Sequence, residues 1–350
     1  MAYNSNCWPR LGVCVFQRSM RFNWAAGEPR PTQKVMAADA AGIAEAAHIL
    51  RLGGLVAFPT ETVYGLAADA TSDAAVARIY AAKARPKFNP LIAHVTSLEA
   101  ALGQGVFSAN ALRLAEAFWP GPLTLVVPLA PGATVCAASC AGQPNIALRV
   151  PIHPVALAVI AAAGRPLAAP SANRSGRVSP VTAAHVARDF AGEIDLILDG
   201  GRCPVGLEST IIACLEEPPR LLRPGGLARG DIEAALGHAL GDPPGVGLVR
   251  SPGMSQSHYA PRAKLRLDTV TLDNGEAGLD FGGIFGAGKN VLDLSPGRDL
   301  AEAAANLFSF LRELDARKPA CIAVAPIPCE GLGEAINDRL ARAAAPRDTP

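Results

Sequence analysis

The sequence predicts an α/β protein of two domains. Short apolar runs of strand length alternate with alanine-rich stretches of helical periodicity. At 350 residues the chain exceeds one typical domain. Residues 241–262 are rich in proline and glycine, which is typical of a linker. We therefore expect a larger domain over residues 37–240 and a smaller one over residues 263–350, joined by this linker.

The first elements of the larger domain can be assigned from their boundaries. Asp39 can cap a helix that runs to Leu52 and stops at two glycines, and residues 55–58 form a short buried strand. Residues 73–84 predict a second helix, whose carboxyl end delivers Lys83. Further strands are expected at residues 123–127, 146–150, 166–170, 196–198, 209–214 and 220–222. Further helices are expected at residues 153–163 and 231–240. Another helix is expected to begin with Ser179 as its cap and Pro180 at its first position.

The smaller domain shows the same alternation. Strands are predicted at residues 290–294 and 321–325, and helices at residues 300–314 and 333–342. Residues 283–289 match the spacing of a phosphate-binding P-loop, but Asn290 stands where that motif has Ser or Thr. A strand follows where the motif needs the amino end of a helix, so we interpret this segment as a loop entering a strand.

Three polar segments, residues 59–66, 83–91 and 170–173, border the predicted elements. Lys83 and Arg85 precede a proline, so a point charge and a planar guanidinium can face one polyanion such as a nucleoside triphosphate. The segments also contain short, neutral side chains that can form hydrogen bonds: Thr60, Thr62, Ser171 and Asn173. The alternative is that the segments are a helix cap, a solvated helix end and an ordinary turn. Together they predict one anion site.

Composition excludes several classes of function. The net charge of +1 predicts no strong general attraction to nucleic acid, although a local basic patch is compatible with it. Eight cysteines without a Cys-x-x-Cys pair predict structural thiols rather than zinc ligands, with a redox pair as the alternative. No run reaches the roughly 18–20 apolar residues of a membrane span, so we expect a soluble, cytoplasmic protein without membrane association.

Residues 1–36 carry no sustained apolar stretch and no secretory signal. Three interpretations stay open: a disordered extension, a weak organelle-targeting segment, or an artefact of the chosen start site.

The chain resembles the Sua5/YciO/YrdC family, in its longer Sua5 type, over about residues 38–345. The matching segments are residues 53–66 (GGLVAFPTETVYGL), 83–86 (KARP), 90–95 (PLIAHV), 119–124 (WPGPLT), 148–151 (LRVP), 170–176 (PSANRSG), 208–211 (ESTI), 223–225 (RPG), 251–254 (SPGM), 258–261 (HYAP) and 331–340 (GLGEAINDRL).

This resemblance implies a YrdC-like twisted mixed sheet with flanking helices and a smaller Rossmann-like C-terminal domain. It also implies L-threonylcarbamoyladenylate synthase activity, in which this nucleotidyltransferase joins L-threonine, bicarbonate and ATP and releases pyrophosphate. The product serves the modification of adenosine 37 in certain tRNAs. The implied partners are therefore these three substrates and a downstream tRNA threonylcarbamoyl transferase complex, with at most a weak tRNA contact.

The resemblance also transfers site residues. The catalytic set is Lys83, Arg85, Ser171 and Asn173. Threonine or its carbamate would be bound by Thr60, Tyr64, His94, Thr124, Arg149 and Ser209. ATP would be bound by the catalytic set together with Arg223, His258 and Tyr259. Mg²⁺ would accompany ATP through its phosphates, with no protein metal site and no organic cofactor.

Two further expectations concern Glu61 and the linker. We interpret Glu61 as structural rather than as a metal ligand, and the linker as a lid over the nucleotide site. Two rival functions stay open: an RNA-binding module without catalysis, and a carbamoyl-transfer enzyme of hydrogenase maturation. The second would require acylphosphatase-like and zinc-finger regions that do not occur in this sequence.

Overall fold

The structure, a computed structural model, describes residues 34–241 and 258–346. The described residues form a ten-stranded mixed sheet and a separate four-stranded parallel sheet, each flanked by helices. The predicted α/β class and the two-sheet organisation are therefore confirmed.

Ten strands build the first sheet, in the order β1-β8-β2-β3-β7-β4-β6-β5-β9-β10. Their bounds are β1 Val35–Ala37, β2 Val56–Phe58, β3 Gly65–Asp69, β4 Ile92–His94, β5 Leu123–Pro128, β6 Asn145–Arg149, β7 Leu167–Ala168, β8 Leu196–Asp199, β9 Thr210–Ala213 and β10 Arg220–Arg223. The helices of this part are α1 Ala40–Arg51, α2 Asp73–Lys83, α3 Leu98–Leu102, α4 Ala109–Phe118, α5 Pro154–Ala163, α6 Ala183–Phe190 and α7 Arg229–Leu236.

The second sheet has the order β11-β14-β12-β13 and is parallel in all three pairings. It consists of β11 Lys264–Arg266, β12 Ala277–Asp280, β13 Val291–Asp293 and β14 Cys321–Val324, with α8 Leu300–Ala316 and α9 Gly333–Ala344. A parallel sheet with crossover helices agrees with the expected Rossmann-like domain.

Hydrogen bonds around β3 bring two of the polar segments together. Strand β2 pairs antiparallel with β3, so residues 59–64 form the connection between them. Strand β3 also pairs with β7, and its first residue, Gly65, forms an isolated bridge with Ser171. Leu66 N–H donates to Pro170 O, and Ala172 N–H donates to Tyr64 O. The first and third polar segments are therefore neighbours at one edge of these strands.

Most predicted element boundaries agree with the structure to within a few residues. Asp39 caps α1 by accepting from Gly42 N–H at 2.9 Å, as expected. The expected helix at Ser179 was wrong, because α6 begins at Ala183 and its cap is Thr182. The Ser179 hydroxyl donates instead to Glu208, and Pro180 O accepts from Tyr64 N–H. Contacts with distant residues therefore occupy the Ser179 hydroxyl and the Pro180 carbonyl, which would have formed the first hydrogen bonds of a helix starting there.

The two sheets share a continuous apolar core. It includes residues of the first sheet, Tyr259 after the linker, and Leu307 and Phe308 of α8. The two domains are in close contact at Gly206, where a Cβ atom would lie 2.5 Å from the Cα atom of Ala305 in α8. Only glycine allows the backbone to approach α8 so closely.

The glycine-rich loop of residues 283–289 leads into strand β13, as expected. Its surroundings explain why it is not a phosphate site. The Asp280 carboxylate accepts from the N–H groups of Ile284 and Phe285, and the Asp293 carboxylate accepts from those of Gly282 and Gly283. The protein's own carboxylates occupy donors that a bound phosphate would require.

Two predicted segments fall largely outside the described residues: most of the extension, and residues 242–257 of the linker, including residues 251–254 of the family resemblance. Val35 and Met36, which were expected in the extension, belong to strand β1 and pair with β8. Within the described ranges, no helix has the length and apolar character needed to cross a membrane.

Candidate active site

One cavity lies where the polar segments meet. Its wall consists of Thr60, Thr62, Val63, Gly65, Arg85, Ile92, His94, Arg149, Ala169, Pro170, Ser171, Glu208, Ser209, Arg223, His258 and Tyr259. Nine of these residues were predicted site residues. The wall carries three arginines and one carboxylate, so its composition suits an anionic ligand.

One end of the cavity is built on a buried ion pair. Arg149 ends strand β6 and donates to Glu61 at 2.5 Å and to Thr62 Oγ1 at 2.9 Å. Both charged side chains are 5% exposed. Thr60 Oγ1 bonds Thr62 Oγ1 at 2.7 Å and donates to Val63 O. Glu61 therefore orders this end of the site, in agreement with its expected structural role.

His94 lies beside this ion pair because strands β4 and β6 are parallel and in register, with His94 opposite Arg149. Burial, together with the Arg149 charge, lowers the pKa of His94 to about 3. The ring is neutral at physiological pH, so it contributes a hydrogen-bonding group without charge.

The two cations of the second segment are held by backbone carbonyls. Helix α2 ends at Lys83, and Ala84 adopts a left-handed conformation. Lys83 Nζ donates to Ser171 O at 2.6 Å and to Asn173 O. Arg85 donates to Asn89 O and Pro90 O. Burial lowers the pKa of Arg85 to about 10, and burial with the Arg85 charge lowers that of Lys83 well below its ordinary value.

The cations differ in their access to the cavity. Arg85 lies in the wall, whereas Lys83 is 1% exposed and is not among the lining residues. The expectation that Lys83 faces phosphates therefore differs from the structure, which directs its ammonium to the turn at residues 171–173.

Asn173 lies behind the same turn. Its side-chain amide donates to Arg174 O at 2.7 Å and Arg177 O at 2.9 Å. Its Oδ1 atom is buried and has no hydrogen-bond partner among the described residues. A buried acceptor of this kind is expected to find a donor in a bound ligand or in water. Ser171, in contrast, lies in the wall.

The far side of the cavity consists of the strand ends of β9 and β10. Ser209 Oγ lies 2.7 Å from Thr124 Oγ1, and Arg223 donates to Ser209 O at 2.8 Å. Thr124 is therefore one layer behind the wall and supports Ser209. Burial lowers the pKa of Arg223.

His258 and Tyr259 close the cavity after the linker. Their rings pack edge to face with centroids 4.1 Å apart. Burial lowers the pKa of His258 to about 3, and its Nδ1 atom has no partner within the described part of the chain. A neutral imidazole and a phenol thus form one side of the wall.

Tyr64 differs from expectation, because its side chain is not in the wall. Its hydroxyl donates to Gly201 O at 2.8 Å, and burial raises its pKa. The backbone of Tyr64 nevertheless binds the turn, since its carbonyl accepts from Ala172 N–H.

Two residues near the site were not predicted as functional. Glu208 lies in the wall, and Arg339 of α9 donates to it at 2.9 Å. Both occur in segments that resemble the family, but a sequence does not show which distant charges pair. Their proximity follows from the packing of the second domain on the first.

Four hydroxyl groups at the cavity bond to other hydroxyls, to a carbonyl group or to arginine N–H groups rather than to a histidine base: those of Thr60, Thr62, Thr124 and Ser209. This arrangement suits binding and charge compensation better than covalent catalysis.

Comparisons with known proteins show the family of the chain. The Sua5/YciO/YrdC family profile, described as "Telomere recombination", matches residues 48–225, and the profile described as "Threonylcarbamoyl-AMP synthase, C-terminal domain" matches residues 228–345. The chain is 41% identical to a threonylcarbamoyl-AMP synthase of Pyrococcus abyssi, covering 85% of this chain and 92% of that one. It is also 41% identical to the Bacillus subtilis protein of the same name, covering 87% and 93%.

A solved structure extends the similarity to the fold. The crystal structure of P. abyssi Sua5 complexed with L-threonine superposes with a TM-score of 0.81 at 38% identity, covering 89% of this chain and 97% of that one. Because the sequence matches and the structural match span both domains, the chain belongs to the Sua5/YciO/YrdC family, in the Sua5 type with its C-terminal domain.

Proposed function

We propose that this protein synthesises L-threonylcarbamoyl-AMP and pyrophosphate from L-threonine, bicarbonate and ATP. The observation that carries the proposal is the convergence on one cavity of Arg85, the turn bound by Lys83, and the neutral end around Thr60 and His94. Such a cavity can bind a polyanion beside a small amino acid. The relatives named threonylcarbamoyl-AMP synthase support the same reaction.

Threonine would occupy the end of the cavity built by Thr60, Thr62 and Arg149. This end offers hydroxyl groups and one arginine whose charge is already balanced by Glu61. The neutral His94 and the Ser209 hydroxyl, supported by Thr124, would complete it. The L-threonine complex of the P. abyssi relative supports an amino-acid site in this fold.

ATP would occupy the end formed by Arg85, Ser171, Arg223, His258 and Tyr259. Arg85 and Arg223 would compensate the phosphate charge. The Asn173 side chain would act from its buried position, and Lys83 would hold the turn that presents Ser171.

The chemistry needs positioning more than a covalent side chain. Threonine's amine and bicarbonate form a carbamate with loss of water. A carbamate oxygen then attacks the α-phosphorus of ATP, the bond from that phosphorus to the bridging oxygen breaks, and pyrophosphate leaves with the bonding electrons. Holding the two reactants in one cavity and compensating the negative charge would accelerate this step. Because carbamate and mixed anhydride react with water, enclosure by His258 and Tyr259 would also protect them.

Magnesium would arrive with ATP. Both carboxylates at the cavity already have protein partners. Glu208 in the wall accepts from Arg339 and Ser179, and Glu61 accepts from Arg149. Phosphate oxygens and water would therefore hold Mg²⁺, with wall hydroxyls such as that of Ser171 contacting its water shell.

The product would pass to a tRNA threonylcarbamoyl transferase complex, as the first step of N6-threonylcarbamoyladenosine formation at position 37. We place this step in the cytoplasm.

The direct test mixes the purified protein with ATP, Mg²⁺, bicarbonate and L-threonine and measures pyrophosphate. We expect pyrophosphate to depend on both threonine and bicarbonate. L-Serine serves as the matched substrate, and loss of one methyl contact should lower kcat/KM by about 10- to 200-fold. Pyrophosphate release that is independent of threonine would contradict the proposal, and tight tRNA binding without any turnover would favour an RNA-binding module.

A further inference from the structure

One arginine of the second domain reaches the wall of the candidate active site. Arg339 lies on α9 and is completely buried. Its guanidinium donates to Glu208 Oε2 at 2.9 Å, to Pro224 O at 2.9 Å and to its neighbour Asp338 at 2.7 Å. The three contacts use all three guanidinium nitrogen atoms, which point in different directions within one plane. A lysine ammonium group cannot make three such coplanar contacts.

The same guanidinium covers the ring of Tyr259. Its central carbon lies 5.0 Å from the ring centroid, within the range of a cation–π contact. Phe308 of α8 also stacks on Tyr259, with centroids 5.7 Å apart. Tyr259 therefore contacts two helices of the second domain.

The neighbours of Tyr259 are also anchored. His258 N–H donates to Arg342 O of α9, and Ala260 N–H donates to Gly176 O of the first domain. Tyr259 itself has a φ of 61°, in the left-handed region that few side chains adopt without support. The backbone after the linker is consequently bound to both domains at the cavity.

Glu208 receives the same kind of support. Its Oε1 atom accepts from the Ser179 hydroxyl, and its carbonyl accepts from Gly226 N–H. A Cβ atom at Gly225 would lie 2.4 Å from that carbonyl, so the backbone at residues 224–226 is pressed against Glu208. Burial opposes the charge on Glu208, but the charges of Arg339 and Arg223 outweigh it and lower its pKa.

We propose that Arg339 is a positioning residue through which the C-terminal domain sets the ATP end of the active site. It holds Glu208 and Tyr259 in the wall, and it fixes the backbone of Pro224 next to Arg223. The inference rests on the proposed function and deepens it, because it assigns the second domain a part in nucleotide binding without contact between Arg339 and the substrates.

The test compares Arg339→Lys with Arg229→Gln in the full-length protein. Arg229 also joins the domains, through Glu334 of α9, but both side chains are about one third exposed and neither lines the cavity. We expect Arg339→Lys to raise the KM for ATP by about tenfold or more and to change the KM for threonine by less than about threefold. Arg229→Gln should change neither constant.

Glu208→Gln provides a second variant in case Arg339→Lys fails to fold. This substitution removes the charge of the other partner in the same ion pair and hardly changes the volume of the side chain. It should also raise the KM for ATP selectively. Equal effects of Arg339→Lys and Arg229→Gln, equal increases in both KM values, or a normal ATP KM in Glu208→Gln would overturn the proposal.

The two proposals fail differently. If the wild-type protein forms no threonine-dependent pyrophosphate, the proposed function fails. Calorimetric titration of wild-type and Arg339→Lys proteins with Mg·ATP would still measure the positioning effect. Unchanged ATP affinity in the folded variant would contradict the role of Arg339 alone.

Discussion

The ammonium group of Lys83 lies 2.6 Å from the carbonyl oxygen of Ser171 and also donates to that of Asn173. A cation from the end of α2 is thereby bound to the backbone of a turn 88 residues further along the chain. Lys83 thus stabilises the geometry of the wall from behind it, whereas Arg85 takes part in the wall itself. The two residues should respond differently to substitution.

Lys83→Ala should lower the rate of pyrophosphate formation by about a hundredfold or more, because the turn that carries Ser171 loses its anchor. It should also lower the unfolding midpoint, since two buried carbonyl groups lose their donor. Steady-state pyrophosphate assays and thermal unfolding measure the two effects. Lys87→Ala, an exposed lysine in the same loop, is the matched control. Near-normal turnover of folded Lys83→Ala would contradict this role.

Arg85→Ala should also lower pyrophosphate formation by about a hundredfold, but through the loss of charge that faces the phosphates. We expect ATP affinity to fall, while threonine affinity is retained. Titration of the variant with Mg·ATP and with L-threonine separates the two ligands. Unchanged ATP affinity would show that the Arg85 guanidinium only stabilises its own loop, through its hydrogen bonds to Asn89 O and Pro90 O.

Glu61→Gln should destabilise the fold by about 3 kcal/mol or more, because it leaves the buried Arg149 without its counter-charge. Urea unfolding monitored by circular dichroism measures the free energy. The control is Glu313→Gln, which breaks an exposed pair with Arg317 on one helix surface. That change should cost less than about 1 kcal/mol. Similar costs for the two variants would contradict the structural role of Glu61.

Stability should fall as the pH is lowered from 7.5 to 5. The pKa of His94 and that of His258 are lowered to about 3 in the folded protein, from an ordinary value of 6.5. Between these values the unfolded chain binds protons that the folded protein does not. Each histidine therefore removes about 1.4 kcal/mol of stability per pH unit below 6.5.

The unfolding free energy at several pH values checks this expectation. His94→Gln should give a shallower dependence on pH than the wild-type protein, because one of the histidines with a lowered pKa is removed. His238→Gln, at an exposed position, should leave the dependence unchanged. A His94→Gln dependence as steep as that of the wild type would show that the ring is protonated in the folded state.

Local patterns were sufficient for most secondary structure. Asp39 as a helix cap, the end of α2 at Lys83 and the strand before the first polar segment could be predicted from neighbouring residues alone. Ser179-Pro180 shows where such reasoning fails. It has the local form of a helix start, but Glu208 from a distant segment takes its hydroxyl.

The candidate site divides in the same way. The polar segments and the family resemblance could be recognised from the sequence, because side-chain chemistry is a property of each residue and its neighbours. The class of ligand stays a prediction. The directions of those side chains could not be predicted. Tyr64 turns to Gly201, Thr124 supports Ser209 from behind, and Lys83 faces carbonyl groups.

The sequence by itself determined the α/β architecture, and it predicted the domain bounds and the polar residues of the candidate site. The tertiary structure alone decided which of those residues line the cavity, and it brought Arg339 to Glu208 across 131 positions of the chain. The physical reason is that a buried charge must find its partner wherever folding places one, and no local pattern specifies a partner so far away.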